Sequence, residues 1–221
     1  MNLPPPLPLS RTPFPLLGVV VGVMLIGCSV DAAAPRSEGA RGSSSNAEAG
    51  ASDLGKVPEG AEVAVLAGGC FWGMEEILRS IPGVLDTEVG YSGGVTRNPT
   101  YPQVSSGRTG HAEAVRIVFD PKQLSYETLL ERWYFRMHDP TTLNRQGNDR
   151  GSNYRSAIFP TSPKQERTAR EVIKRVDASG KWKKPVVTSI EPYKGFTAAE
   201  ANHQDYLQKY PNGYTCHYLR N

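Results

Sequence analysis

The sequence predicts an α+β domain, on three observations. Short apolar runs bounded by turn residues alternate with amphipathic helical segments. Their order from Glu62 to Phe159 is βαββαβ. The helical segments carry one apolar stripe each, as helices laid on one face of a sheet require.

Taken in order, Glu62 to Ala67 (E-V-A-V-L-A) is a buried strand bounded by glycines. Met74, Ile77, Leu78 and Ile81 fall at i, i+3, i+4 and i+7, so Cys70 to Ser80 is a helix with one buried face, ended by Pro82-Gly83. Val84 to Tyr91 forms a second strand. Ser92 to Gly110, rich in Gly, Pro, Asn, Thr and Ser, reads as a long loop of the kind that carries function. Glu113 to Phe119 is a third strand, closed by Asp120-Pro121. Ser125 caps a helix carrying Leu129, Leu130, Trp133 and Met137. A second polar loop, Asp139 to Ser152, precedes a fourth strand, Tyr154 to Phe159. Ser162-Pro163-Lys164-Gln165 is a capping box that starts a helix to about Ala178. A strand at Val186 to Ile190, a helix at Ala198 to Lys209 and an irregular tail complete the chain. The whole is a ferredoxin-like βαββαβ core, a two-layer sandwich, with a C-terminal extension.

Ahead of this core the composition changes. Arg11 is the one charge before Asp31, and Phe14 to Gly27 is apolar but too short and glycine-rich for a spanning helix. It ends in Leu25-Ile26-Gly27-Cys28, which resembles the lipobox of bacterial lipoproteins. That resemblance implies a signal peptide at 1–27 and lipid attachment at Cys28. Ser29 to Lys56 has Val30 and Leu54 as its only large aliphatics and reads as a tether, giving a linker at 28–57 and a folded domain at 58–221. The expected location is the cell envelope, anchored and facing the periplasm, with Ser29 leaning toward the outer membrane.

The net charge of the 221-residue chain is +3, too small to argue for nucleic acid. Among the chemistry-bearing residues, Cys70 stands out in Gly68-Gly69-Cys70-Phe71-Trp72-Gly73. Two glycines turn the backbone sharply and place the thiol at a helix start, where free N–H groups and the dipole favour a thiolate. Glu113 opens a strand after Gly107-Arg108-Thr109-Gly110-His111. Beside an apolar pocket its carboxyl would stay protonated as an acid; on an open edge it would be an ordinary ion-pair carboxylate. Tyr91, Tyr101, Asp149 and Tyr154 lie on or beside the two long loops, where phenols can hold a polarised oxygen or simply pack. With Cys28 removed, Cys70 and Cys216 are left to form either a structural disulfide or a nucleophile and its resolving thiol. His111, His138, His203 and His217 show no metal spacing, and no nucleotide-binding loop follows a strand, so no metal or organic cofactor is expected.

Gly69-Cys70-Phe71-Trp72-Gly73, Gly90-Tyr91-Ser92-Gly93-Gly94, Asn98-Pro99-Thr100-Tyr101, Thr109-Gly110-His111-Ala112-Glu113, His138-Asp139-Pro140, Arg145-Gln146-Gly147-Asn148-Asp149 and Tyr154-Arg155-Ser156-Ala157-Ile158 together resemble peptide methionine sulfoxide reductase A. The resemblance implies that Cys70 attacks the sulfoxide sulfur and Glu113 protonates its oxygen. It implies that Tyr101 and Tyr154 hold that oxygen, Asp149 assists through a water, and Phe71 and Trp72 pack around the methyl group. Cys216 would resolve a sulfenic acid on Cys70, and a thioredoxin-like donor would reduce the disulfide. Oxidised proteins carrying the S epimer are the implied substrate, and a monomer is expected. Ser105 stands where some members carry a cysteine, and the tail has one cysteine where some have two, so a single resolving step is expected. Two other readings stay open. A Cys–His hydrolase using Cys70 and His111 would need neither a reductant nor Cys216. A lipid-anchored binding module would hold a stable Cys70–Cys216 bridge and turn over no sulfoxide.

Overall fold

The computed structural model describes residues 55–221. The expected signal segment, the lipid site Cys28 and most of the tether lie outside the described residues.

The architecture is α+β, built on a mixed six-stranded sheet in the order β7-β6-β1-β3-β2-β8. Its centre is β1 (Glu62–Gly68), which pairs antiparallel with β3 (Ala112–Phe119) on one side and β6 (Ser156–Phe159) on the other. β2 (Val84–Ser92) continues the sheet antiparallel to β3. Two short strands extend the edges: β7 (Ser189–Ile190), parallel to β6, and β8 (Phe196–Ala198), antiparallel to β2. Alternation along β1 sends Ala64 and Leu66 to one core, and Val63, Val65 and Ala67 to another. The first and larger core is roofed by α1 (Phe71–Arg79), through Phe71, Met74 and Leu78, and by α5 (Pro163–Ala178), through Ala169, Val172 and Val176. The opposite face is closed by Tyr193, from the connection leading into β8, and by Phe196, the first residue of β8.

Several expected elements differ in form. The long loop after β2 contains a short helix, α2 (Tyr101–Ser105), started by a Thr100/Gln103 capping box with Pro102 in its first turn. The Ser125-capped helix begins as α3 (Tyr126–Thr128), widens to a π-helix over Leu129–Tyr134, and ends as α4 (Phe135–Met137). The widened turn brings Tyr134 inward, where its hydroxyl donates to the Ala67 carbonyl at 2.8 Å directly below the β1–α1 turn. The polar loop after α4 carries a hairpin of β4 (Arg145–Gln146) and β5 (Asp149–Arg150). Tyr154 ends a 3₁₀ turn (Ser152–Tyr154) and is not the first residue of β6. Ser162 caps α5 as expected, accepting from the Gln165 amide at 3.2 Å.

The helix expected at Ala198 to Lys209 shrinks to α6 (Tyr206–Lys209). Tertiary bonds overrule its propensity. The Gln204 amide accepts from the Val89 N–H at 2.9 Å and donates to the Val89 carbonyl at 2.8 Å, standing in for a strand partner. Asp205 adopts φ 54° while its carboxylate takes the Arg79 guanidinium at 2.7 Å. The tail from Pro211 has no regular structure, yet it is not loose. His217 is 7 % exposed and bonded to the β1–α1 turn, so the tail is docked there.

Candidate active site

Cys70 closes the turn between β1 and α1 as the residue preceding the helix, and it is 5 % exposed. Gly69 has φ +110° and lies so close to Gln146 that any Cβ would strike it, which is why a glycine stands here. The helix start does not produce a resting thiolate. Burial pushes the Cys70 thiol far above its ordinary value, and Glu113, once ionised, adds to the push. The expectation of a thiolate is therefore overturned: a single helix terminus is weaker than the loss of solvation that docking of the tail and loops imposes.

The residue that defines the site's chemistry is Glu113 on β3. One carboxyl oxygen accepts the Phe71 N–H, the first amide after Cys70, at 3.1 Å. The other has no protein partner although the residue is 1 % exposed. Leaving a buried polar atom unpaired costs about 1–3 kcal/mol, so its retention calls for a role. Burial raises the Glu113 carboxyl to about 8, and the Phe71 N–H, which favours the ionised form, does not offset that. At neutral pH the carboxyl therefore keeps its proton beside the Cys70 thiol.

The Tyr101 and Tyr154 phenols are half-buried, and both are raised by burial first and by the Glu113 charge next. Tyr91, in contrast, is buried and donates to Glu200 at 2.8 Å, and that carboxylate also accepts the Tyr101 N–H at 2.8 Å. Tyr91 thus helps anchor Tyr101 and does not offer its own hydroxyl to the site.

An aromatic wall adjoins these groups. Phe71 is fully buried, with Tyr101 stacked at 6.3 Å between centroids and Trp72 at 6.2 Å. Trp72 stacks on Tyr206 at 3.9 Å, and its indole N–H donates to His203 at 3.2 Å. His203 in turn lies 4.2 Å from the Tyr101 ring. Neither His203 nor Glu200 carries a sequence signal for this role beyond its position in the segment that folds back onto α1.

Cys216 comes to the same place. It and Cys70 are both free thiols. Its S–H donates to the Asp149 carboxylate at 3.4 Å, and Tyr214 donates to the other oxygen of Asp149 at 3.1 Å. Burial and then Asp149 raise the Cys216 thiol to about 12. Gly73 is what lets the tail approach, because a Cβ there would sit 2.2 Å from the Thr215 hydroxyl and 2.8 Å from a His217 ring nitrogen. Gly73→Ala is expected to displace the tail while leaving α1 helical. Disulfide formation between Cys70 and Cys216, followed by thiol titration, should slow at least about tenfold; an unchanged rate would show that the tail needs no such contact.

Of the residues expected to act together, the structure assembles Cys70, Glu113, Tyr101, Tyr154, Asp149, Phe71, Trp72 and Cys216. It does not pair Cys70 with His111. His111 accepts the Gly94 N–H at 3.2 Å and its other nitrogen lies 2.9 Å from the Thr96 carbonyl, so both positions are spent on the loop after β2.

Comparison with known proteins agrees with this geometry. The family model for peptide methionine sulfoxide reductase matches residues 62–221. The curated protein Peptide methionine sulfoxide reductase MsrA 1 of Mesorhizobium japonicum is 58 % identical over 159 residues, covering 72 % of this chain and 90 % of its own length. Among solved structures, reduced Mxr1 from Saccharomyces cerevisiae has a TM-score of 0.68 at 38 % identity, covering 75 % of this chain and 96 % of that one. Mxr1 in complex with Trx2 matches with a TM-score of 0.52 at 27 % identity, over 75 % of this chain and 95 % of that one.

Proposed function

Because the chain belongs to the peptide methionine sulfoxide reductase family, we infer the work of its site from what sulfoxide reduction demands. The protein is a thiol-dependent oxidoreductase that reduces methionine sulfoxide to methionine. The observation that carries the assignment of roles is the buried Glu113 carboxyl, one oxygen on the Phe71 N–H next to Cys70 and the other without a protein partner.

Cys70 attacks the sulfoxide sulfur as Glu113 gives its proton to the sulfoxide oxygen and recovers one from the thiol. That attack forms a sulfur–sulfur bond. A proton from Glu113 then lets the oxygen leave as water as the substrate's S–O bond breaks. Water adds to the Cys70 sulfur and breaks the sulfur–sulfur bond, so that methionine leaves, Cys70 becomes a sulfenic acid and Glu113 takes back the proton. Tyr101 and Tyr154 donate hydrogen bonds to the oxygen as charge builds on it, and Asp149 assists through a water. Phe71 and Trp72 accept the methyl group against the aromatic wall; with the oxygen held by the phenols and Cys70 on the third side, the S configuration is the one selected. Cys216 then condenses with the sulfenic acid, forming the Cys70–Cys216 disulfide and releasing water. A thioredoxin-like donor returns both thiols, as the Mxr1–Trx2 complex supports for a relative. Proteins bearing oxidised methionine are the substrate, and the chain acts as a monomer without metal or organic cofactor.

Two further readings concern the fold and the segment ahead of it. The antiparallel order β6-β1-β3-β2 supports describing the central strands as ferredoxin-like. The apolar segment ending at Cys28 supports export as a lipoprotein, with 1–27 removed, 28–57 as tether and 58–221 as catalytic domain in the cell envelope, the outer membrane favoured by Ser29. Radiolabelled lipid incorporated by the wild type and not by Cys28→Ala is the expected result; labelling of both would refute it.

Cys216→Ser is expected to complete one round of methionine formation at the wild-type rate and then stall with thioredoxin as donor. Sustained thioredoxin-driven cycling would show that another thiol resolves Cys70.

A further inference from the structure

The resolving thiol has two proton acceptors against it, and only one of them is also pinned to the turn that carries Cys70. His217, the residue after Cys216, is buried in the cleft between the β1–α1 turn and the β4–β5 hairpin. Its Nε2 lies 2.9 Å from the Gly68 carbonyl oxygen. A carbonyl can only accept, so Nε2 carries the hydrogen, and a neutral imidazole then has a bare Nδ1. That Nδ1 lies 3.5 Å from the Cys216 sulfur. The Asp149 carboxylate, 3.4 Å from the same sulfur, completes a Cys–His–Asp cluster. We propose that His217 is a catalytic residue of the second half-reaction, taking the proton of Cys216 as that thiol attacks the Cys70 sulfenic acid. The proposal rests on the reading of Cys216 as the resolving thiol.

The step balances without another reagent. The Cys216 S–H turns from Asp149 to His217 Nδ1, its proton moves there, the sulfur–sulfur bond forms, and the S–O bond of the sulfenic acid breaks. The departing hydroxide takes that proton from the imidazolium and leaves as water. Need for a base follows from the thiol's setting, since a buried Cys216 beside a carboxylate does not ionise by itself near neutral pH. Burial pulls His217 down to about 4, so it is neutral and able to accept throughout the neutral range. The charged and titratable groups bearing on it are Asp149, which stabilises the transient imidazolium, Arg220 and His138, which oppose it, and Cys216 itself. Asp149 alone is the poorer acceptor for this step, because its charge disfavours the thiolate that must form.

The test separates the two half-reactions in one sample. His217→Gln keeps a side-chain donor for the Gly68 carbonyl but places no base at the sulfur. Reduced enzyme is mixed with methionine sulfoxide; methionine formed and thiols lost are followed by rapid quench. Methionine formation reports Cys70 chemistry and fold, and it should match wild type. Disulfide formation should slow about 100-fold, the scale of a lost general base, and should rise with pH where the wild type is level from pH 5 to 8. Wild-type disulfide rates in His217→Gln, loss of methionine formation itself, or a loss of disulfide formation found only in Asp149→Asn would each overturn the proposal. Nitrogen-15 NMR of reduced wild-type enzyme gives a reading free of any variant. A protonated Nε2 with a bare Nδ1 at His217 is expected, and the opposite tautomer would refute it.

Discussion

Cys70→Ser is expected to yield no detectable methionine from methionine sulfoxide. The reaction moves the oxidation from one sulfur to another, and only a thiol can accept it as a sulfenic acid. A serine oxygen is a hard, weak nucleophile that would have to form a peroxide to take the same role. The substitution is otherwise mild. Cys70 is 5 % exposed, sits at the helix boundary without a side-chain capping bond, and a serine fits its volume. The variant should therefore bind substrate and melt close to wild type. Retained turnover in a folded Cys70→Ser protein would remove this cysteine from the chemistry.

Glu113→Gln should slow the first methionine-forming step by about 10²–10⁴-fold, the usual contribution of a positioned acid. The amide fits the same space, and its oxygen can still accept the Phe71 N–H, so the fold is preserved. What it loses is a proton that can leave. The pH dependence follows from the raised carboxyl. Below about 8 the dominant state holds one proton on Glu113 and one on the Cys70 thiol, the pair the transition state uses. The single-turnover rate should be level below that value and fall above it in the wild type; the falling limb should vanish in Glu113→Gln. Stability carries the same signature. Folded protein holds this proton where the unfolded chain has released it, so Glu113 costs stability as pH rises from the ordinary carboxylate range to about 8. A near-normal single-turnover rate in the glutamine variant would exclude Glu113 as the acid.

What the sequence made legible tracks how local the determining physics is. β1 and β3 were readable because their apolar runs are buried on both faces, and α5 because Ser162 and Pro163 announce it. The Thr100-Tyr101-Pro102-Gln103 start of α2 carried a readable capping signal inside what passed as loop. The segment 198–209 was not readable as it folds, since Gln204 and Asp205 act through partners more than a hundred residues away. The same holds in the site. Glycines flanking Cys70 mark a sharp turn, but the burial that keeps its thiol protonated is imposed by the hairpin and tail that close over it. Glu113 could be suspected from its strand position, while its unpaired oxygen is a fact of packing. His217 was visible only as the neighbour of Cys216 until its ring was seen against Gly68.

The central claim is a two-thiol reduction in which Cys70 takes on an oxygen and Cys216 removes it. Thiol titration against methionine yield tests it most directly. Fully reduced enzyme, mixed with excess methionine sulfoxide and no reductant, should form one methionine per chain and lose both Cys70 and Cys216 thiols together. Methionine formed with no thiol lost, or with Cys216 still titrating at completion, would contradict the account.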